Sequence, residues 1–397
     1  MKKIGFVIPW HGQSIPGGAE MALREVTEHL HAAGMDIEIL STCVREFTAD
    51  WSENYYQPGL TVENGIPVRR FKADKCNAAK FNQVNIKLMA DEHLTREEEK
   101  IFINEIVNSR EMYKYIAAHQ GEYALFVYIP YMFGPTYFGA RACLEKAVLI
   151  PCFHEEAYIY MDIFKETFSK VRGMIFNAQP EKEIAERVYD LRKVETIVPG
   201  LGMNTSLTYD ADRFRAKFDI QEPFILYAGR KDVGKNIYTL IRYFEAYKKR
   251  NRGSNLKLVL IGGGQVNIPR SVIHDVKDLG FVDQQDKYDA CGAALCLCQP
   301  SKHESFSYVI MESWLCGRPV LVHKACDVTR NFAVSFNGGF YFDNYFEFEG
   351  QVDYLLTHPE EAAQLGANGR QCVIDNFTWD VVVGKYRAFF EKLTGEQ

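Results

Sequence analysis

The chain has 397 residues, of which 47% are hydrophobic and 25% are charged. This is enough for two hydrophobic cores, because single cores seldom grow beyond about 250 to 300 residues. The formal net charge of -6 argues against a large nucleic-acid footprint, since such surfaces are basic. The cysteines show no paired spacing, and the first apolar run is too short for a signal peptide or a membrane span. We therefore expect a cytoplasmic protein.

Strand patterns alternate with glycine turns and helical patterns along the first half of the chain. Residues 3–9 predict a buried strand, and residues 18–33 predict an amphipathic helix that ends at Gly34. Further strands are predicted at residues 37–43, 125–129, 148–153, 174–177 and 196–198. This alternation predicts a parallel sheet with helices on both faces.

A second unit of the same kind follows, with strands predicted at residues 224–228, 256–261, 293–298 and 319–322. The join is predicted near residues 199–202, where both patterns lapse. We expect domains at residues 1–200 and 201–376, with a helical insertion at about 73–121. A last helix in residues 377–397 is expected to pack back across the join.

The turn between the first strand and the first helix, PWHGQSIPGGAE at residues 9–20, is the first candidate site. Gly17 and Gly18 let a ligand approach the backbone closely, and a helix start offers free N–H groups and a partial positive charge, which favour phosphate. An ordinary turn explains these residues equally well, because two glycines fall short of a dinucleotide fingerprint.

The second candidate is FILYAGRKDVGKN, residues 224–236. Its glycines and Lys235 are spaced almost as in a phosphate-binding P-loop, but Asn236 stands where the P-loop has the Ser or Thr that ligates magnesium. Arg230 adds a planar set of donors that suits phosphate oxygens. We interpret the two cations as a metal-free diphosphate clamp; two solvated surface cations are the alternative.

Two more candidate segments follow predicted strands. The glycines at 262–264 permit close approach at the carboxyl edge of a sheet, where ligands of open α/β folds bind, although a tight turn would also need them. In PSKHESFSYVIMESWLCGRPVLV, residues 300–322, Glu312 interrupts an apolar helix. Such a carboxylate needs partners, so it faces a polar ligand or is satisfied within the fold. Glu304 precedes this helix, next to the N–H groups of Ser305 and Phe306.

His154, in IPCFHEEAY, comes directly after a predicted strand. A zinc motif that begins His-Glu needs a second histidine at position 158, and Tyr158 stands there, so this zinc site is excluded. A histidine at a strand end suits hydrogen bonding to a sugar or to a developing oxyanion. A purely structural histidine is equally compatible with the sequence.

In this order the segments resemble the retaining glycosyltransferases of family 4. The resemblance rests on GGAE at 17–20, VPGLGMN at 198–204, GR and GKN within 229–236, IGGG at 261–264, LGFVDQQDKYDAC at 279–291, and ESFSYVIMES with CGRPVLV from position 304 onward. It implies the GT-B fold, an α/β architecture of two facing Rossmann-like, doubly wound domains with a cleft between them. The first domain would bind the acceptor and the second the nucleotide sugar.

The resemblance also implies a role for each candidate residue. Arg230 and Lys235 would hold the donor diphosphate, Glu312 the ribose hydroxyls, and Glu304 and His154 the transferred sugar. His154, Arg230, Lys235 and Glu304 would be the catalytic residues. The donor-binding residues would be Gly17, Gly18, Gly229, Arg230, Lys235, Gly263, Val282, Glu304, Ser305, Phe306, Ser307 and Glu312.

Two positions depart from the family pattern. Ser307 stands where Gly is common, and Ser313 stands where Ala is usual. Because Ser307 would narrow the pocket beside the donor sugar, the identity of that sugar stays open.

The implied reaction moves a sugar from a nucleoside diphosphate to a glycan or lipid-linked saccharide with retention of configuration, as in bacterial cell-surface polysaccharide and lipopolysaccharide biosynthesis. Cations and helix-terminal N–H groups would stabilise the departing diphosphate, so we expect neither a metal ion nor a cofactor. Aromatic residues at 128–138 are candidates for stacking on acceptor sugars, or belong to the core. A lipid-linked acceptor would allow weak peripheral contact with the inner face of the membrane, although no basic amphipathic helix is predicted.

Three other functions stay open at this point, one of them that of a binding protein that has lost catalysis. A P-loop-like nucleotide hydrolase would use the loop at 229–236 with magnesium. A GT-B nucleotide-sugar epimerase would isomerise the sugar without an acceptor.

Overall fold

The computed structural model describes residues 2–15 and 17–395. They divide into two compact units, Met1–Gly202 with Trp379–Gln397, and Met203–Thr378. Among the described residues, no helix has both the length and the apolar character needed to cross a membrane. The same residues contain no group of three or more His, Cys, Asp or Glu side chains that would hold a metal ion.

The first unit is built on one sheet. Its strands are β1 (Lys3–Ile8), β2 (Ile37–Thr42), β3 (Gly59–Glu63), β4 (Ile66–Phe71), β5 (Tyr123–Tyr128), β6 (Ala147–Leu149), β7 (Gly173–Ile175) and β8 (Glu195–Ile197). Their order is β3-β4-β2-β1-β5-β6-β7-β8, and only the β3–β4 pair is antiparallel in the described chain. The order reverses direction between β1 and β5, which is the pattern of a doubly wound sheet.

Seven helices follow these strands in the described part of the first unit: α1 (Gly18–Ala32), α2 (Ala78–Met89), α3 (Arg96–Glu105), α4 (Arg110–His119), α5 (Gly134–Ala142), α6 (Asp162–Phe168) and α7 (Gln179–Val188). α1 buries Ala22, Leu23, Val26 and Leu30, which share one face at helical spacing. α2 to α4 lie between β4 and β5, in the stretch where a helical insertion is predicted. A capping box of Thr95 and Glu98 fixes the start of α3.

The second unit is a six-stranded parallel sheet over the described residues. It contains α8 (Ala211–Phe218), β9 (Phe224–Ala228), α9 (Ile237–Arg250), β10 (Lys257–Ile261), β11 (Val276–Gly280), α10 (Gln284–Ala293), β12 (Cys296–Gln299), α11 (Tyr308–Leu315), β13 (Val320–His323), α12 (Asp327–Ser335), β14 (Gly339–Phe342), α13 (Tyr345–Thr357) and α14 (Pro359–Asn376). The strand order is β11-β10-β9-β12-β13-β14. Direction reverses between β9 and β12, so this is also a doubly wound sheet.

The last helix, α15 (Trp379–Thr394), belongs to the first unit. Arg387 on α15 donates to the carbonyl oxygen of Ala33 at 2.7 Å, and Arg172 donates to that of Leu393 at 3.0 Å. Val382, Tyr386, Phe389 and Phe390, the apolar face expected from the sequence, are all buried. Glu396 and Gln397, at the end of the predicted 377–397 segment, lie outside the described residues.

The α/β class and the parallel sheets predicted from the sequence are confirmed, but four strands were missed. β3, β4, β11 and β14 have no counterpart among the predicted strands, and those predicted at 148–153 and 293–298 are shorter in the structure. β3 and β4 form a hairpin through Asn64 and Gly65, whose φ angles are 49° and 81°. An Asn-Gly pair is a strong hairpin signal, so this hairpin was predictable from the sequence.

Candidate active site at the carboxyl edge of the second sheet

Four neighbouring strands of the second sheet end at one edge, and each continues into a loop that carries candidate residues. The loops at 229–236, 262–264, 281–283 and 300–307 follow β9, β10, β11 and β12. Parallel strands place all four loops at the same edge. The reversal of strand order lies between β9 and β12, and ligands of open α/β sheets bind at this point.

Backbone hydrogen bonds join the first three of these loops. Gly229 N–H donates to Ile261 at 2.9 Å, Lys231 N–H donates to Gly263 at 2.7 Å, and Gly262 N–H donates to Gly280 at 2.8 Å. Gly262 has φ 119°, and a Cβ atom there would lie 2.2 Å from the carbonyl oxygen of Gly229. Only glycine fits such a close approach, so the edge is fixed by its backbone.

Lys235 and Glu304 meet across the point of reversal. Lys235 Nζ lies 2.7 Å from Glu304 Oε1, and the two side chains are 24% and 11% exposed. The side chain of Asn236 also spans these two loops, since Nδ2 donates to the carbonyl oxygen of Pro300 at 2.9 Å. The structure thus brings together a cation and a carboxylate that the resemblance assigns to the diphosphate and to the sugar.

The loop before α9 differs from a P-loop in how its polar groups are used. Lys235 N–H donates to Asp232 Oδ1 at 3.0 Å, and Asn236 N–H donates to the carbonyl oxygen of Val233 at 3.0 Å. Asn236 Oδ1 accepts a hydrogen bond from Thr239 Oγ1 at 2.7 Å. A P-loop directs its backbone N–H groups at phosphate and its hydroxyl at magnesium; here these positions are satisfied inside the fold.

Arg230 has different surroundings from Lys235. Its side chain is 73% exposed, and its Nε lies 3.4 Å from Asp232 Oδ2, itself 43% exposed. An exposed pair of this kind contributes little to stability. The two cations predicted to act together therefore differ in their surroundings: Lys235 is largely buried and paired with Glu304, whereas Arg230 is largely exposed.

The loop at 304–307 leads into α11 and has mixed surroundings. Phe306 is 2% exposed, and its ring packs edge-on against those of Phe332 and Phe377 at 5.6 and 5.2 Å. Its side chain is part of the core, so only its backbone is available to a ligand. Ser305 is partly exposed. Ser307 has φ 83°, in the left-handed region that favours glycine, and its buried Oγ has no hydrogen-bond partner in the described chain.

Glu312 is held by a residue that sequence reasoning missed. Lys287 Nζ on α10 lies 2.6 Å from Glu312 Oε1 on α11, while the buried Oε2 has no partner among the described residues. Burial raises the pKa of Glu312, and the charge of Lys287 opposes that rise. Burial is the largest influence on the pKa of Lys287 and lowers it, but the charge of Glu312 and the hydrogen bond to it together raise the pKa overall. The carboxylate is thus half satisfied within the fold.

The β11 loop places an exposed ring beside the glycine turn. Phe281 is 87% exposed, and a Cβ atom at Gly263 would lie 2.7 Å from its Cζ. Val282 is partly exposed next to it. Beneath the loops, the buried ammonium of Lys231 pairs with Asp278 on β11. Gly263 and Val282 therefore lie at the same edge as Lys235, and Lys231 is an internal support that the sequence did not single out.

In the first unit, the turn after β1 is fixed by Glu20; Pro16 in this turn lies outside the described residues. Glu20 Oε1 accepts a hydrogen bond from Trp10 Nε1 at 2.6 Å. Gly17 has φ 148°, and a Cβ atom there would lie 1.9 Å from Glu20 Oε2. Gly18 is the first residue of α1 and is exposed. An anion approaching these glycines would therefore meet a carboxylate close to the N–H groups.

His154 lies in the loop after β6. Its Nδ1 is 3.6 Å from Glu156 Oε1, which accepts a hydrogen bond from the hydroxyl of Tyr131 at 2.9 Å. The preceding residue is anchored, because Phe153 N–H donates to the buried Glu181 at 2.9 Å. Burial raises the pKa of Glu181 to about 7. His154 is thus partly exposed on a loop with a fixed base.

The aromatic tract at 128–138 is mainly core. Tyr128 and Tyr131 are fully buried, and Phe133 and Tyr137 are 5% and 6% exposed. An acceptor-stacking role for these four rings is excluded because sugars cannot reach them. Phe47, in the loop after β2, is 55% exposed, and its ring lies 5.8 Å from that of Trp10.

Comparisons with known proteins give the similarity of the second unit to a family. Residues 209–372 match the family model of the glycosyl transferases group 1. A D-inositol 3-phosphate glycosyltransferase of Rhodococcus erythropolis is 24% identical over 227 residues, or 52% of this chain and 50% of that protein. The chain spans about half the length of the curated relatives it matches.

Two solved structures are similar to the whole chain. Sucrose-phosphate synthase from Thermosynechococcus elongatus has a TM-score of 0.73 at 17% identity and covers 100% of both chains. Anabaena HepE, in complex with UDP and glucose, has a TM-score of 0.69 at 15% identity and covers 98% of this chain and 100% of its own. The chain therefore has the GT-B fold, and residues 209–372, in its second unit, are similar to the glycosyl transferases group 1.

Proposed function

We propose that the protein transfers a sugar from a nucleoside diphosphate to a glycan or lipid-linked saccharide acceptor, with retention of anomeric configuration and without a metal ion. The observation that carries the proposal is the contact between Lys235 and Glu304, 2.7 Å apart at the reversal of strand order. A partly buried cation there suits a diphosphate, and a neighbouring carboxylate suits the hydroxyl groups of the sugar attached to it.

The two groups would exchange partners when the donor binds. Lys235 leaves Glu304 for the diphosphate, and Glu304 then accepts hydrogen bonds from sugar hydroxyls. As the bond between the anomeric carbon and the phosphate oxygen breaks, negative charge grows on the diphosphate. A preorganised ammonium stabilises that charge where it develops, and this is the largest single contribution in many enzymes. Arg230, which is exposed, would close on the diphosphate only once it is bound.

The ligands bound in solved relatives suggest which nucleotide sugar to test first as the donor. Anabaena HepE was crystallised with UDP, with UDP and glucose, and with UDP-glucose. Those ligands motivate a uridine diphosphate sugar as the first donor to try with this chain. The name of one curated relative points to a smaller acceptor, inositol phosphate, and the name of one solved relative points to a phosphorylated sugar as its product. Small phosphorylated acceptors therefore belong in the test beside saccharides.

The decisive experiment is an assay of sugar transfer with UDP-, GDP- and ADP-sugars against lipid-linked saccharides and phosphorylated polyols, with and without EDTA. We expect a product whose anomeric configuration, read by NMR, is that of the donor, at a rate that EDTA does not change. Inversion of configuration would remove the retaining mechanism. If EDTA abolishes the activity and magnesium restores it, the proposal that the cations hold the diphosphate without a metal ion is wrong.

Two controls separate the remaining functions. Incubation of donor without acceptor tests for isomerisation of the sugar, which an epimerase would show. Incubation with ATP or GTP and magnesium tests for phosphate release, which a P-loop hydrolase would show. Either activity at a rate above that of transfer would overturn the proposal.

A further inference from the structure

Two helices that start at the site edge carry a buried ion pair of opposite charges. α10 begins directly after the β11 loop and carries Lys287 in its first turn, and α11 begins directly after Ser307 and carries Glu312 in its second. Lys287 Nζ is 2.6 Å from Glu312 Oε1, and the side chains are 25% and 9% exposed. The pair thus lies one turn below the loops that contain Glu304 and Val282.

The two oxygens of Glu312 have unequal surroundings. Oε1 accepts a hydrogen bond from Lys287, whereas Oε2 is buried and has no partner among the described residues. A buried polar atom without a hydrogen-bond partner lowers the stability of the folded protein, and such atoms in native proteins usually bind a ligand or a water molecule. A carboxylate oxygen can only accept, so its missing partner is a donor; a hydroxyl fits, and a phosphate is repelled.

We propose that Lys287 is a positioning residue for nucleotide recognition: its ammonium holds the Glu312 carboxylate so that Oε2 accepts a hydrogen bond from a ribose hydroxyl of the donor. This inference rests on the proposed function and adds a residue to it. Lys287 contacts Glu312 and not the nucleotide. Its effect is to fix the orientation and the negative charge of the group that does.

Among the groups that surround Glu312, Lys287 is the one that keeps the Glu312 carboxylate negatively charged. Tyr288 and Cys291, also on α10, face Glu312. Burial raises the pKa of Tyr288, and a hydrogen bond with Cys316 together with burial raises the pKa of Cys291, so both are neutral at pH 7. α14 packs against α11 through Gly366 and Gly369, which meet Gly317 and Trp314. Without Lys287, burial would favour the protonated acid.

The test replaces Lys287 by Met, which has similar length and no charge. The probe is the nucleoside diphosphate among UDP, GDP and ADP that binds the parent protein most tightly, together with its 2′-deoxy form, measured by calorimetry between pH 6 and pH 8.5. In the parent we expect affinity to change little with pH and to fall about tenfold without the 2′-hydroxyl. In Lys287→Met we expect affinity about tenfold lower at pH 6, recovery toward pH 8.5, and little discrimination against the deoxy form at pH 6.

Three further variants keep the test sharp. Lys287→Arg retains the charge and should restore the flat pH profile, which a purely structural role would not require. Lys217→Met is the matched control, since Lys217 forms a 2.7 Å pair with Asp286 on the same helix but is 50% exposed. Glu312→Gln should lose discrimination at every pH, and Lys287→Met on that background should add nothing. If Lys287→Met does not fold, two other comparisons test the proposal: Lys287→Arg against the parent, and Glu312→Gln with and without Lys287→Met.

Failure of this inference is distinguishable from failure of the proposed function. If the parent binds none of the three nucleotides, the proposed function falls and this inference falls with it. If the parent binds one of them and Lys287→Met matches it in affinity, in deoxy discrimination and in pH profile, only the role of Lys287 is overturned.

Discussion

The two sheets share a winding order, yet the loops at their carboxyl edges are held by different forces. In the second unit three lysine–carboxylate pairs support the edge: Lys231 with Asp278, Lys235 with Glu304, and Lys287 with Glu312. In the first unit, aromatic rings support it together with the pair of Arg70 and Glu63, and Arg70 also donates to the carbonyl oxygen of His11. Trp10 packs edge-on against Phe47 and Phe133 at 5.8 and 5.1 Å, and His11 is buried beside Glu63.

The difference shows what each edge is suited to bind. An internal ion pair can exchange its partner for an anionic ligand, because the incoming phosphate replaces the carboxylate that the lysine loses. A cluster of rings offers no such exchange, and it suits the apolar faces of uncharged groups. The lysine–carboxylate pairs of the second edge are therefore the reason for proposing the donor diphosphate site there.

The largest expected effect comes from removing the cation at the second edge. Lys235→Ala should lower the rate of sugar transfer by about 100-fold or more, as loss of one preorganised transition-state donor does in other enzymes. Steady-state kinetics with a nucleotide sugar measures this. Lys249→Ala on the same helix is the matched control, because Lys249 is 61% exposed and pairs only with Glu245. A parental rate in Lys235→Ala would remove this lysine from the mechanism.

The sequence was enough to locate the loops of the second edge but not all of their contacts. Glycines and charged residues directly after apolar strands indicate loops at a sheet edge, because parallel strands bring their carboxyl ends together. Lys235 and Glu304 follow two such strands. Lys287 and Glu312 are 25 residues apart on two helices. Their contact depends on how α10 packs against α11, and helix periodicity does not contain that information.

The same limit explains why the sequence left two alternatives for the rings at 128–138, acceptor stacking and the core. Tyr128 ends β5, and Tyr131 follows at the point where the strand order reverses, so both are covered by neighbouring elements. Their burial is decided by the sheet order, which a local pattern cannot show. β14 was missed for a related reason, because its four residues, GFYF, are too few for an alternating pattern to be distinguished from a buried turn.

A second prediction tests whether the backbone of the second edge is as rigid as its hydrogen bonds indicate. Gly262→Ala should lower the free energy of unfolding of the second unit by about 2 to 3 kcal/mol, since it adds a strained φ and a clash with the carbonyl oxygen of Gly229. Urea denaturation, with hydrogen exchange in β9 and β10, measures the loss. Gly253→Ala is the control, because nothing lies within 4 Å of its Cβ position. Equal stability of both variants would show that the edge can relax.

A third prediction concerns His11, which is buried at the first edge. Burial, with Arg70 and Arg24 nearby, lowers the pKa of His11 to about 4 although Glu63 acts to raise it. An unfolded histidine takes up its proton below about pH 6.5. As pH falls from 7 to 5 the unfolded chain binds that proton and the folded chain does not, so stability is lost.

The loss from His11 should be about 2 kcal/mol between pH 7 and pH 5. Denaturant titrations of the first unit at both pH values measure it, and His11→Gln should reduce the difference by this amount. His358→Gln, which removes an exposed histidine of the second unit, serves as the control. An unchanged pH dependence in His11→Gln would mean that another group controls the acid sensitivity of the first edge.

The smallest expected effect compares two cations of one loop. Arg230 is 73% exposed and has only a loose contact with Asp232, whereas Lys235 is 24% exposed and anchored by Glu304. An exposed, solvated side chain loses conformational freedom when the donor binds, and this cost reduces what its hydrogen bonds contribute to binding. Arg230→Ala should therefore lower the transfer rate by about tenfold or less, and mainly by raising the KM for the donor. A loss as large as that of Lys235→Ala would mean that both cations contact the diphosphate equally in the transition state. The exposure of Arg230 in this structure would then be no guide to its part in the reaction.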